Sequence, residues 1–493
     1  MLKINHIAVS RVLLVFFIAL CFLFFYYFLQ PAIKSWDEAV YAGNAIEMSK
    51  KGDWWVMYNN GQPDFFNTKP PLVIWLQSIF ISLFGLNEFA IRLPSFISLC
   101  CIVIFLYKFL ERLTGNLVFP FFTINILLSS YGFLGFHGFA TGDLDATLCL
   151  CITIYSLLFF DKILLTSKTP SPQWIYLIGF FFFLAFLTKS TAAFLPLPGL
   201  LIALFIFRKQ KTLFRNKHFY ISLLAISSFI IGYYFFMEIN NPGYFSHAWR
   251  SEFERIYKNI MVWHAHPFKY YFQNLITRFY PWIWVLLPSL LLALLSKSVI
   301  VKKTTLFSFI FSICYFLIIS IPSVKLEWYD IPAYPFLSII ASVTFFELYN
   351  KAKISNKLKN KAIVLLGFIL FITTSYFFMV RVIKKIMYPF YMEPLEREGT
   401  ALRKLIHEPA VKNLKILMYA KHPEHYNQLN FYREMYFRYN AFKPAILKNV
   451  QDIYLGDTIL VCQTEKIILL KDFDIDTIQK INSCLLIHIK GKE

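Results

Sequence analysis

Residues 35–71 read SWDEAVYAGNAIEMSKKGDWWVMYNNGQPDFFNTKPP, a polar segment that opens with Asp37 and Glu38 and closes with Lys69 before two prolines. It follows an apolar run at about residues 12–30, and Trp36, Tyr41, Trp54, Trp55 and Tyr58 give it the ring density of a membrane–water interface. Of the 493 residues, 57% are hydrophobic, 19% are aromatic and 56 are Phe, more apolar surface than a soluble core of this length needs. Lipid is therefore the solvent for most of the chain.

Further apolar runs lie near 91–110, 118–136, 145–161, 174–188, 193–207, 219–237, 281–297, 304–321, 332–349 and 362–380. A shorter one at 72–84, started by Pro70 and Pro71 and ended by Gly85, reads as an interfacial or re-entrant helix. The first run lacks the small-residue cleavage pattern of a signal peptide and is expected to stay as a helix. These segments predict an all-α polytopic membrane protein of about 11–13 transmembrane helices. Residues 1–382 would form the membrane domain and 383–493 a small C-terminal α/β extracytoplasmic domain, with strands at 415–420 and 458–462.

The formal net charge is +20, but the basic residues fall in short clusters between apolar runs, which argues for orientation signals and against a nucleic-acid partner. Lys108 and Arg112, Lys162 and Lys168, Arg208 to Lys217, Lys297 to Lys303 and Lys351 to Lys361 all fall on one side, the cytoplasmic one by the positive-inside rule. The outer side then receives 31–71, the turn 137–144, the loop 238–280, the turn 322–331 and the tail. Six of the eight cysteines lie in apolar runs and read as small hydrophobic residues. Cys462 and Cys484 sit in the tail, where an oxidising compartment would let them pair. No cysteine spacing fits a zinc or redox motif.

Each unusual polar group on the outer side has two readings. Asp37 and Glu38 at the end of a span, with low dielectric on one side, suit a general base, while the commoner use of such acids is to cap the start of a helix, here the one that AVYAGNAIEM predicts. Lys69 ahead of a Pro-started helix suits a phosphate ligand, as well as a lysine that reaches for the interface. His137, Asp143 and Asp145 share a turn between apolar helices, a place where ionisable groups are functional by default. Lys189 has no orienting reason to stand at the outer end of a span, so an anion partner is expected. His264 and His266, two apart, would point to one side of an extended segment and with a carboxylate could hold a divalent metal. Lys269 and Arg278 offer further cations, and Lys325 with Tyr329 could hold a ligand at the interface.

Taken together, DEAVYA, NTKPPLVIWL, FGLNEFAIRLPS, GDLDATL, FLTKS, HPFKYYFQNLITRFYPW and SVKLEWYDIPAYP resemble, in order and spacing, the bacterial membrane glycosyltransferases of the GT-C fold. The resemblance is to the protein O-mannosyltransferase-like family that includes the lipid A aminoarabinose transferases, and it covers about residues 10–345. It implies transfer of a sugar from a polyprenyl-phosphate carrier to an acceptor on the outer face of the bacterial inner membrane, without a nucleotide sugar. By the same resemblance Asp37 corresponds to the acid of the first outer loop, taken as catalytic base or acceptor-positioning residue, with the catalytic candidate Glu38 beside it, and Asp145 matches a second acid near the active cavity. Lys69 looks like the carrier-phosphate ligand, with Lys189, Lys325 and Tyr41 as contributors, beside the further phosphate-binding candidate Lys269. The chain departs from the aminoarabinose transferases at Val40, where they carry an arginine, and at Thr68, where they carry an acid that pairs with a histidine at a metal site.

The expected partners are a polyprenyl-phosphate-linked sugar, a lipid or glycan acceptor such as lipid A, and membrane lipids. Rival readings are an enzyme of the same family acting on protein, a transporter or flippase of lipid-linked sugars, and a non-catalytic binder of lipid phosphate. Transport predicts polar residues or helix breaks near span centres, whereas here they cluster on one face.

Overall fold

The computed structural model describes residues 6–254, 264–354, 358–388, 396–408, 411, 413–418, 426–462 and 470–492. The chain divides into two compact units. One comprises Met1–Phe28, Asp64–Val73 and Leu93–Met387, and the other Leu29–Pro63, Ile74–Arg92 and Tyr388–Glu493.

The first unit is helical. Among the described residues eight helices are long and apolar enough to cross a membrane: His6–Phe28, Glu88–Thr114, Asp145–Leu164, Pro172–Phe194, Lys217–Asn240, Val299–Ile319, Glu327–Lys351 and Leu365–Met387. A ninth arises if Tyr270–Arg278 and Ile283–Leu295, bent by 99°, count as one broken span. The bend falls at Tyr280-Pro281, where the ring of a proline excludes helical geometry from the residue before it. The spans expected at 118–136 and 193–207 are shorter apolar helices, Val118–Leu128 and Leu197–Ile206, and 72–84 is the 13-residue helix Leu72–Phe84. Ser129 and Ser130 end the first of these early, each hydroxyl bonding back to the Ile126 or Asn125 carbonyl of its own helix.

In lipid, helices gain little from hiding apolar side chains from one another, so close approach and polar pairs hold them. A Cβ at Gly199 would lie 3.1 Å from the Cys314 Cβ, so glycine there sets how closely two helices meet. Thr123 bonds Ser342 at 3.0 Å and Ser289 meets Thr344 at 2.8 Å, across sequence gaps of 219 and 55 residues.

In the second unit, Asp37–Lys51 is a helix, followed by the hairpin β1 (Tyr58–Asn59) and β2 (Gln62–Pro63). Asn60 and Gly61 join the strands with φ of 50° and 82°, the positive pair that a two-residue type I′ turn requires. The tail forms a five-stranded sheet from β3 (Leu414–Leu417), β4 (Ala445–Leu447), β5 (Thr458–Val461), β6 (Phe473–Ile481) and β7 (Cys484–Lys492), in the order β4-β3-β5-β7-β6. β3 runs parallel to β4 and β5, and β7 runs antiparallel to β5 and β6. Leu417, Ile459, Val461 and Ile487 form part of its core. Both expected strands are present, although Tyr419 and Ala420 lie outside the described residues. The helix Asn427–Asn440 buries Leu429, Phe431, Tyr432, Met435 and Tyr436.

Cys462 and Cys484 form a disulfide, and the other six cysteines are free thiols. Unreduced, denatured protein is therefore expected to take up six alkyl groups and reduced protein eight, read by intact mass. Eight groups without reductant would contradict the bridge.

Candidate active site

The polar groups that the sequence singles out arrive by different routes. Lys69 precedes the Pro70-Pro71 start of Leu72–Phe84, Asp145 opens the helix Asp145–Phe159, and Lys189 closes Pro172–Lys189. In the helical unit these three meet in one cavity of about 320 Å³, whose wall also includes Thr191, Glu252, Tyr315 and Tyr329. Leu148, Leu195, Ile318 and Ile319 make its remaining surface largely apolar.

The charges are paired. Lys189 Nζ donates to both oxygens of Asp145 at 2.7 Å and lies 5.0 Å from the centre of the Tyr329 ring. Lys69 Nζ donates to Glu252, whose other oxygen accepts from the Thr191 hydroxyl. Tyr315 donates to the Tyr329 carbonyl at 3.1 Å and so fixes the segment that carries that ring. Two lysines and two carboxylates thus line an otherwise apolar cavity, each lysine paired with one carboxylate.

Glu252, Thr191 and Tyr315 were not legible as site residues. Glu252 lies on the turn Arg250–Glu254 of the 238–280 loop, and its signal was an acid within an aromatic and basic segment. Thr191 follows Lys189 in FLTKST, and Tyr315 is one tyrosine in an apolar helix with nothing local to distinguish it.

His137 and Asp143 face each other across their turn, with Nδ1 3.2 Å from Oδ2. Burial alone would raise the Asp143 carboxyl. The charge of His137, with hydrogen bonds from His137 and Thr141, outweighs that and holds it below the usual aspartate range. The His137 ring stacks on Trp328 with centroids 3.6 Å apart.

Several expected ligands are engaged elsewhere. Lys325 donates to the carbonyls of His266 and Pro322, and burial pulls its ammonium below the usual lysine range. Lys269 is exposed ahead of Tyr270–Arg278, and neither lysine lines the cavity. Arg278 is buried, bonded to Glu327 at 3.3 Å and to the Gly132 carbonyl at 3.2 Å. The segment of His264 and His266 pairs with 323–325 through an Ala265–Val324 bridge, and the His266 ring stacks on Tyr270 at 4.0 Å.

The divalent metal expected at these histidines does not fit the residues present. Among the described residues, no group of three potential ligand atoms within 4.8 Å includes His264 or His266. The Thr68 hydroxyl bonds that of Ser251 at 2.8 Å.

In the second unit Asp37 and Glu38 occupy the first turn of their helix, where the helix dipole favours carboxylates. They differ in surroundings. Asp37 is half-buried, whereas Glu38 is fully buried with Arg92 Nε at 2.6 Å, Arg92 Nη2 at 2.9 Å and the Lys34 N–H at 2.8 Å. With both oxygens in that ion pair, Glu38 is a structural anchor and not a reacting group, which corrects its expected catalytic role. Tyr41 is buried in the same helix.

Residues 68–234 match the family described as dolichyl-phosphate-mannose-protein mannosyltransferase. A protein of Aquifex aeolicus is 25% identical over 387 residues, covering 76% of this chain and 72% of that protein. An undecaprenyl phosphate-alpha-4-amino-4-deoxy-L-arabinose arabinosyl transferase of Proteus mirabilis is 28% identical over 325 residues, 64% of this chain. The match spans 56% of that relative's own length. Among solved structures, ArnT from Cupriavidus metallidurans bound to undecaprenyl phosphate superposes with a TM-score of 0.69 at 17% identity, covering 96% of this chain and 97% of that one. Fold and sequence similarity point the same way as the motifs: the chain has the fold of ArnT, carries helices long and apolar enough for a multi-pass membrane protein, and is similar in sequence to a protein mannosyltransferase family and to an aminoarabinosyl transferase.

Proposed function

We propose that the chain moves a sugar from a polyprenyl-phosphate carrier to lipid A or another envelope glycoconjugate, on the periplasmic face of the inner membrane. The observation that carries this reading is the cavity itself, in which Lys69 and Lys189 stand among apolar side chains. A phosphate at the end of an isoprenoid chain is the ligand whose two halves match those two surfaces. The family of residues 68–234 and the named activity of the Proteus relative support the same class of donor.

In the proposed reaction, the acceptor hydroxyl attacks the anomeric carbon and passes its proton to Asp37. The bond from that carbon to the phosphate oxygen breaks, and the oxygen keeps the electron pair. Lys69 and Lys189 counter the charge left on the polyprenyl phosphate, and their stabilisation grows as the bond breaks. Asp145 grips Lys189 through both oxygens and so sets where its ammonium stands. Asp37, Asp145, Lys69 and Lys189 are the site residues of this proposal. Residues 1–382 serve as its membrane domain and 383–493 as its periplasmic domain.

The decisive experiment is transfer from a synthetic polyprenyl-phosphate sugar in proteoliposomes, with lipid A and a serine- and threonine-rich peptide offered as separate acceptors. Transfer to the peptide alone would favour the protein-modifying reading suggested by the matched family. Movement of the lipid across the bilayer with no transfer to any acceptor would replace the enzyme by a flippase.

The pairing of Lys69 with Glu252 gives two opposite expectations. Lys69→Ala removes a charge-assisted contact and is expected to raise KM for the carrier about 10–100-fold, the effect of about 1.5–3 kcal/mol. Glu252→Gln removes a carboxylate that competes for the same ammonium, so KM is expected to fall. A rise in KM for both variants would show that Glu252 supports binding and does not compete with the phosphate.

A further inference from the structure

The tail also bonds to the segment ahead of Asp37. All the contacts that follow lie within the second unit, which joins Leu29–Pro63 to Tyr388–Glu493. Three consecutive residues ahead of Asp37 are gripped by it. The Ile33 N–H donates to the Tyr432 hydroxyl at 2.8 Å, and the Ile33 carbonyl accepts from the Gln428 side chain at 2.8 Å. Lys34 Nζ pairs with Glu396 Oε2 at 3.0 Å. Ser35 donates both its N–H and its hydroxyl to Glu396 Oε1, each at 3.0 Å. Glu396 is 4% exposed, so these bonds form away from water, where a lost partner leaves an unmatched charge.

The residue that follows is strained. Trp36 has φ of 68° and ψ of −127°, a conformation that non-glycine residues adopt only when their surroundings over-determine it. The next residue is Asp37. Such strain gathers where a side chain must be aimed, and here the clamp upstream and the helix downstream fix both ends of the strained residue.

We infer that Glu396, with Tyr432, is a positioning residue for Asp37: the tail holds the backbone of 33–35 so that the strained Trp36 aims the Asp37 carboxylate. This rests on the reading of Asp37 as the base. The relaxed state without the clamp lets Trp36 return to an ordinary φ and turns Asp37 away from its working direction. Misplacement by about 1 Å is enough to cost up to about 100-fold in rate.

The test is the transfer assay in proteoliposomes with full-length protein. Glu396→Ala is expected to lower kcat by about 10–100-fold while KM for the carrier changes by less than about twofold. Glu396→Gln, which keeps an oxygen for Ser35 and loses only the Lys34 pair, is expected to recover most of that loss. Tyr432→Phe, which removes one hydroxyl and keeps the ring packing, is expected to lower kcat in the same direction. Lys404→Ala, which breaks an exposed bond to Asn482 on the same unit, is expected to leave both constants unchanged. Rates are normalised to folded protein by size-exclusion chromatography. Unchanged kcat in Glu396→Ala and Tyr432→Phe, alongside an inactive Asp37→Asn, would overturn the positioning role and leave the base assignment standing. Full activity in Asp37→Asn would instead remove the base assignment, whatever the Glu396 variants do.

Discussion

Asp37→Asn is expected to reduce kcat by about 10²–10⁴-fold, the range that one positioned general base contributes, with KM for the carrier nearly unchanged. Asparagine keeps the size and the place at the helix start but cannot accept the acceptor's proton. The helix itself loses a favourable dipole contact, up to about 2 kcal/mol at a partly buried site, and asparagine is itself accepted at a helix start, so the variant is expected to fold. Carrier binding is read independently, by displacement of a labelled polyprenyl phosphate. A variant that binds the carrier and fails to turn over assigns Asp37 to the chemical step. One that turns over normally leaves the proton to another group.

Glu38 sits one residue further on and is expected to behave in the opposite way. Its carboxylate and the Arg92 guanidinium are both buried, at 0% and 2% exposure, and Arg92 also donates to the carbonyls of Pro31 and Ala32. Removing one partner strands a charge without water, which costs about 3–5 kcal/mol. Glu38→Ala and Arg92→Ala are each expected to lower the melting temperature in detergent sharply. The double variant is expected to lose clearly less than the two single losses combined, because it strands no charge. Whatever protein survives Glu38→Gln is expected to transfer sugar at a normal rate per folded molecule. Loss of transfer with an unchanged melting temperature would return Glu38 to the chemistry.

The contrast between these neighbours marks the limit of what could be read from residue order. DEAVYA carries two acids and nothing in it says which one is consumed by a partner, because Arg92 is 54 residues away. The spans themselves were legible, since length and apolarity are local properties. Their number was blurred where Ser129, Ser130 and Pro281 break helices that composition alone runs on. Lys69, Asp145 and Lys189 stood out because charges in apolar surroundings are rare, and all three line one cavity. Lys325 stood out for the same reason, yet its ammonium is taken up by two backbone carbonyls, a demand that only the folded turn creates. Glu252 and Thr191 were missed because each matters through a residue distant in the chain, 183 residues for Glu252 and Lys69. The tail's other strands were not read from the sequence, although the start of FDIDTIQKI alternates apolar and polar residues with the period of a strand.

The bond between Ile33 and Tyr432 joins residues 399 apart. At synthesis rates of about 5–20 residues per second, the two meet on the order of 20–80 s after the first is made. Throughout that interval the segment ahead of Asp37 has left the ribosome without its clamp, while every later helix is still being inserted. Completion of the last hundred residues is thus the event that closes this segment's contacts. A chain cut short by a premature stop near residue 390 would own the described membrane helices and lack both Glu396 and Tyr432, so on the positioning role inferred above it is expected to show no transfer. The distance between two hydrogen-bonded residues thus sets an assembly order in which the segment ahead of Asp37 is clamped last.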